Sequence, residues 1–183
     1  MNAEIYNTAE ELVGLLKEKK LLIATAESCT GGLVSSYITA VPGSSAVFEL
    51  GMASYSCRIK NEALGVKKET LDTLGAVSRD TARQMAECIR KKADADIGVS
   101  VTGVAGPDSS EGHSPGLVFI AAAHPSPSKF ACLTVRHQRG NCKAKTAYDK
   151  GKTRRGRKEM PIKKLLRQGN RRSFAQYARR RRG

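Results

Sequence analysis

The 183-residue chain has no tryptophan, and aromatics make up only 5% of it. Base-stacking platforms need interleaved aromatics, so stacking readout of nucleic acid is poorly supported. Histidine is scarce: His113, His124 and His137 are the three, none at ligand spacing from a cysteine or carboxylate, so no metal site is expected. Cys29, Cys57, Cys88, Cys132 and Cys142 form no CxxC pair. An odd, scattered set reads as reduced thiols of a cytoplasmic protein rather than a disulfide framework. No apolar run approaches membrane-spanning length. The opening MNAEIYNTAEELVGLLKEKK is amphipathic and charged, without the apolar core of a signal peptide. A cytoplasmic chain with no membrane partner is the expectation.

What the sequence does have is positive charge, +15 in all, unevenly placed. Residues 1–134 hold 13 Lys/Arg against 15 Asp/Glu, a net of −2, whereas residues 135–183 hold 19 against 2, a net of +17. A near-neutral domain therefore precedes a basic segment, and any attraction to polyanions belongs to that segment. Weak, non-specific nucleic-acid binding by the tail is expected on this ground.

Apolar positions Ile5, Leu12, Leu15 and Leu16 recur at helical spacing, with Asn7 or Thr8 as the expected cap. LLIATAES reads as a buried strand turning into a helix through CTGG. AVFELGMASYS is a second strand, ending near Tyr55, and IKNEALG a short helix closed by Gly65. Ser78 is the expected cap of a helix whose apolar face is Ala82, Met85, Ala86 and Ile89. DIGVSVTG, LVFIAAAH and FACLTVR complete the strands. The alternation predicts an α/β fold: a three-layer α/β/α domain over residues 1–146 with a mostly parallel, mixed sheet, plus a basic tail from 147 to 183. In such sheets ligands lie beyond the carboxyl ends of the strands.

Two loops occupy that kind of position. In AESCTGG, Ser28 and Cys29 lie where a strand becomes a helix, and the backbone N–H groups of the turn suit an oxyanion or phosphate. Gly31 and Gly32 allow close approach, although Ser28 or Thr30 as a simple helix cap is the plainer reading. Cys29 is intrinsically the stronger nucleophile but has no base nearby in sequence. TGVAGPD, from Thr102 to Asp108, is glycine-containing yet lacks the Lys-Ser/Thr ending of a P-loop. In SYSCRIKNEALGV, Tyr55 and Lys60 are placed to reach the strand ends, and a lysine serves as a base when burial depresses its pKa.

The strings AESCTGG, GMASYSCRIKNEALGV, GAVSRDTARQMA and SVTGVAGPD, in this order, resemble the CinA C-terminal domain family over residues 8–123. The resemblance implies the three-layer fold and a nicotinamide-nucleotide amidase of pyridine nucleotide salvage. Such an enzyme hydrolyses the carboxamide of nicotinamide mononucleotide to nicotinate mononucleotide and ammonia without a cofactor. It further implies Ser28 as nucleophile, Lys60 as base and Tyr55 as a supporting hydroxyl. Thr30, Gly31, Gly32, Thr102, Gly103, Ala105 and Gly106 then line the nucleotide pocket of a homo-oligomeric, stand-alone protein. The loop that takes the 5′-phosphate is left open. The alternative reading is a nucleotide-binding module of the competence/damage-inducible type, without catalysis.

The resemblance weakens after the strand near residue 135. HQRGNCKAKT places Arg139, Lys143 and Thr146 where the family has two basic residues and the threonine that opens its last helix, so Arg139 is a candidate phosphate ligand. Beyond Thr146 the chain loses apolar periodicity. Three readings compete: a nucleic-acid-binding or membrane-surface tail, a disordered extension of no specific function, or a shifted reading frame. The third is favoured. One nucleotide's advance lets the codons of Tyr148 to Lys152 spell Met-Ile-Arg-Glu-Lys, and those of Arg154 and Arg155 two glutamates.

Overall fold

The computed structural model describes residues 2–125, 131–138 and 141–148. Arg139 and the expected tail, apart from Ala147 and Tyr148, lie outside the described residues. Helix α1 spans Ala3–Lys19 and buries Ala9, Val13 and Leu16, one stripe at helical spacing. Its cap is Asn2, whose Oδ1 accepts from the N–H groups of Glu4 and Ile5 at 3.0 and 3.2 Å. The expected cap at Asn7 or Thr8 is thus corrected. Thr8 lies inside the helix, where its hydroxyl donates back to Glu4 O at 3.0 Å. Ile5 is 48% exposed and contributes nothing to the core.

Strand β1, Ile23–Glu27, is buried throughout because it pairs on both sides, with β2 (Phe48–Ala53) and β3 (Ile97–Gly103), both parallel. The remaining strands, β4 (Leu117–Ala123), β5 (Ala131–Gln138) and β6 (Asn141–Tyr148), add antiparallel pairs, giving the order β2-β1-β3-β4-β5-β6. The sheet is mixed as expected, but parallel pairing is confined to β2-β1-β3 rather than prevailing. A strand over Asn141–Tyr148 was not anticipated. Thr146 lies within it rather than opening a helix.

Alternation along β1 separates the two covering layers. Thr25 Oγ1 and Ser35 Oγ are 2.7 Å apart, so this face meets α2, Leu33–Thr39. Ala24 and Ala26 point the other way, into a cluster with Leu64, Val66, Leu71, Met85 and Ile89. That layer holds α4 (Lys68–Leu74) and α5 (Arg79–Lys92). Ser78 caps α5 as expected, accepting from Thr81 N–H at 3.1 Å, and Ala82, Met85, Ala86 and Ile89 are its buried face. Between β2 and α4 a single turn α3, Cys57–Ile59, runs into a π-helical turn, Lys60–Leu64, closed by Gly65 in the left-handed region. π-turns are frequent at functional sites, and this one begins at Lys60. No helix among the described residues is long and apolar enough to cross a membrane.

Candidate functional site

Because β1, β2 and β3 are mutually parallel, their carboxyl ends share one edge, and the three segments singled out in the sequence leave from it. Ser28 follows β1, anchored by its N–H donating to Val101 O on β3 at 2.9 Å. Ser54 and Tyr55 follow β2, with Ser54 N–H donating to Glu27 O at 2.8 Å. Lys60 returns to this edge from the π-turn. Its ammonium donates to Ser28 Oγ at 2.9 Å, Ser54 O at 2.8 Å and Tyr55 O at 2.7 Å. The side chain has no solvent exposure at all, which is rare for a lysine. Burial pulls its pKa below the ordinary lysine value, and the nearby Cys57, Glu111 and Cys29 groups oppose this in part. A buried amine held against a serine hydroxyl, with two carbonyls fixing its direction, is the arrangement that activates a nucleophile.

Tyr55 enters this arrangement through its carbonyl. Its side chain is 78% exposed, and its hydroxyl has no hydrogen-bond partner among the described residues. Cys29, beside Ser28, is half-buried, and burial raises its thiol pKa, which disfavours the thiolate.

The loop after β1 is shaped by Glu27, to which the sequence reading assigned no role within LLIATAES. Its carboxylate is 1% exposed. Oε2 accepts from Thr30 Oγ1, Gly32 N and Val34 N at 2.7, 3.1 and 3.0 Å, and Oε1 from Ser35 N and Ser35 Oγ at 2.8 and 2.6 Å. Burial alone would raise this carboxyl's pKa, but the hydrogen bonds from Ser35, Thr30 and Val34 outweigh it and hold the group below the usual value. The positive end of α2 is therefore already occupied by an internal anion, and the Thr30 hydroxyl and Gly32 N–H are spent on it. Gly31 N–H donates to Ser28 O at 3.1 Å. The Cys29 N–H is engaged with that residue's own thiol, and among the described residues no backbone acceptor takes the N–H of Thr30. A carboxylate at the end of a buried strand, three residues before a threonine and a glycine pair, was the available signal.

The other pocket residues named from the sequence divide. Thr102 is buried and its hydroxyl donates to Ala76 O at 2.8 Å. Gly103 belongs to the sheet, where a Cβ would run into Leu117 O of β4. Ala105 and Gly106 are exposed on the following loop. Ser54 is a further group that the sequence did not single out: its buried hydroxyl has no partner among the described residues.

Fold and site together define a three-layer α/β protein that brings a serine hydroxyl and a buried lysine together at the carboxyl edge of the sheet. Comparison narrows the class: residues 5–149 match the CinA C-terminal domain, and the chain belongs to that family. It is 52% identical over 126 residues to a competence-damage inducible protein of Acetivibrio thermocellus, covering 66% of this chain and 30% of that protein. A namesake from Bacillus subtilis is 50% identical over 111 residues, covering 61% and 27%. The chain thus spans under a third of these curated relatives. Among solved structures, the competence/damage inducible protein CihA from Agrobacterium tumefaciens superposes with a TM-score of 0.66 at 36% identity, covering 80% of this chain and 81% of that one. A CinA superfamily protein from Enterobacter cloacae gives 0.65 at 25% identity, covering 96% and 91%.

Proposed function

We propose that the chain is an amidohydrolase that converts nicotinamide mononucleotide to nicotinate mononucleotide and ammonia, with Ser28 as nucleophile and Lys60 as base. The observation that carries this reading is the 2.9 Å contact between Lys60 Nζ and Ser28 Oγ inside a site with no solvent exposure at the lysine. A neutral amine has two N–H bonds and one lone pair. The carbonyls of Ser54 and Tyr55 satisfy the two N–H bonds, which leaves the lone pair for the Ser28 hydroxyl proton.

In the first half-reaction Ser28 Oγ bonds to the carboxamide carbon while its proton passes to Lys60. The oxyanion is met by backbone N–H groups of the turn after Ser28, with that of Thr30 the one left without a backbone acceptor among the described residues. Collapse breaks the C–N bond, the Lys60 ammonium returns the proton to the leaving nitrogen, and ammonia departs from an ester on Ser28. Water then gives a proton to Lys60, attacks the ester and releases the carboxylate, and the proton goes back to Ser28 Oγ. No metal or cofactor enters this sequence.

The test is ammonia and nicotinate mononucleotide release by the full chain and by Ser28→Ala. Stoichiometric products from the unsubstituted chain alone support the reading. Undiminished release by folded Ser28→Ala overturns it. A nucleotide-binding module without catalysis would bind the nucleotide and release neither product.

A further inference from the structure

The connection leaving β3, residues 104–116, is exposed over most of its length yet tied down near its tip. Glu111 Oε1 accepts from Ala76 N–H at 3.1 Å and Oε2 from Val77 N–H at 2.9 Å. Two successive backbone donors match the two oxygens of one carboxylate. The receiving segment is shaped for this contact. Gly75 has φ 74 and ψ 176, a region in practice open only to glycine, and a Cβ there would run into Glu111 Oε2. Gly75 O takes the Thr81 hydroxyl at 2.7 Å and Ala76 O the Thr102 hydroxyl at 2.8 Å, which ties the segment to α5 and β3. Val77 is buried with Val104 and Leu117, the two roots of the loop. At the tip, Ser110 and His113 exchange N–H···O bonds at 3.1 and 2.9 Å. Glu111 itself has φ 52, a conformation that costs a side-chain-bearing residue energy and is kept where contacts over-determine it.

We propose that Glu111 is a positioning residue for the Ser28–Lys60 site. Its carboxylate latches the loop to Ala76 and Val77 so that the limb from Val104 to Gly106 stays at the sheet edge where substrate binds. This rests on the hydrolase reading of the same site. The latch also keeps a carboxylate within electrostatic reach of Lys60. Cys57 on α3, Glu111 on this loop and Cys29 on the β1–α2 connection act electrostatically on that lysine, and Glu111 is the one carboxylate of the three. Its charge favours the ammonium. Removing it lowers the pH at which Lys60 becomes neutral.

Two variants of the full chain test this, Glu111→Ala and Glu111→Gln, each checked for folding by thermal melting. Steady-state turnover of nicotinamide mononucleotide gives KM and kcat. Labelling of Ser28 by a fluorophosphonate across pH reports neutral Lys60 without needing amide turnover. Loss of the charge-assisted pair should raise KM about tenfold in Glu111→Ala, with kcat changed far less. In both variants the labelling inflection should move to lower pH. A merely structural role would lower the melting temperature and leave the inflection where it was. An unmoved inflection in folded Glu111→Gln overturns the proposal, and this variant decides the matter if Glu111→Ala does not fold. If the unsubstituted chain labels at Ser28 but releases no ammonia, the amidase reading fails, while the inflection shift still decides the latch.

Discussion

Two connections leave the same edge of the sheet, and each is fastened by one glutamate that captures backbone N–H groups. Glu27 fastens the β1–α2 connection from within: it is buried, adjacent in sequence to the groups it holds, and takes five donors. Glu111 fastens the β3–β4 connection from outside: it is exposed, takes two donors, and reaches across 35 residues of chain to find them. Charge-assisted hydrogen bonds are worth most where water cannot compete. The first connection is therefore built to hold Ser28 in one geometry, and the second to hold a loop with less energy and more freedom.

The largest effect should come from the group that the inner connection presents. Ser28→Ala should lower ammonia release by at least about 10³-fold while leaving the melting temperature close to that of the unsubstituted chain. Rates within tenfold would mean that the geometry around Ser28 is not that of a nucleophile.

Removing the inner fastening comes next. Glu27→Ala leaves buried N–H groups and hydroxyls unpaired and should cost about 3 kcal/mol of stability. Its pH dependence has a definite sign. The folded-state pKa lies below the unfolded one, near 4.3 for glutamate, so the contribution is present above about pH 4.3 and is lost as pH falls through the folded value. Glu27→Gln should flatten that acid limb in melts from pH 3 to 7. An unchanged limb would mean that the carboxylate is not what holds the connection.

The outer fastening should break more gently. Gly75→Ala places a Cβ against the Glu111 carboxylate at a positive φ and should cost roughly 1–3 kcal/mol, read as a lowered urea midpoint. A neutral outcome would show that the loop does not depend on that contact. Smallest of all should be Cys29→Ala. The thiol is half-buried, with its pKa raised by burial, and turnover should stay within about threefold. Loss equal to that of Ser28→Ala would point to sulfur as the nucleophile.

The sequence made some of this legible and hid the rest for identifiable reasons. Helix α5 could be read with its cap because Ser78 and the stripe Ala82, Met85, Ala86 and Ile89 are local signals. The α1 cap could not, since Asn2, Asn7 and Thr8 are chemically similar and only the tertiary structure selects among them. Ser28 and Lys60 were brought together by family resemblance. Their contact spans 32 residues and depends on β1 and β2 being parallel neighbours, which no local pattern encodes. Glu27 was missed because nothing local in LLIATAES shows where its carboxylate goes: the five donors come from the turn and helix that follow. Tyr55 carries a visible hydroxyl, yet it is the carbonyl, a group every residue has, that touches Lys60.

The most direct test of the Ser28–Lys60 account is the rate of nicotinamide mononucleotide hydrolysis from pH 6 to 10 by the full chain and by Lys60→Met. Burial lowers the Lys60 pKa, so the unsubstituted chain should gain rate as pH rises through an inflection below the ordinary lysine value of about 10.4. Lys60→Met should be slow and flat over the same range. Lys60→Met that keeps the rising limb at full rate, or a folded unsubstituted chain that releases no ammonia at any pH, would contradict the account.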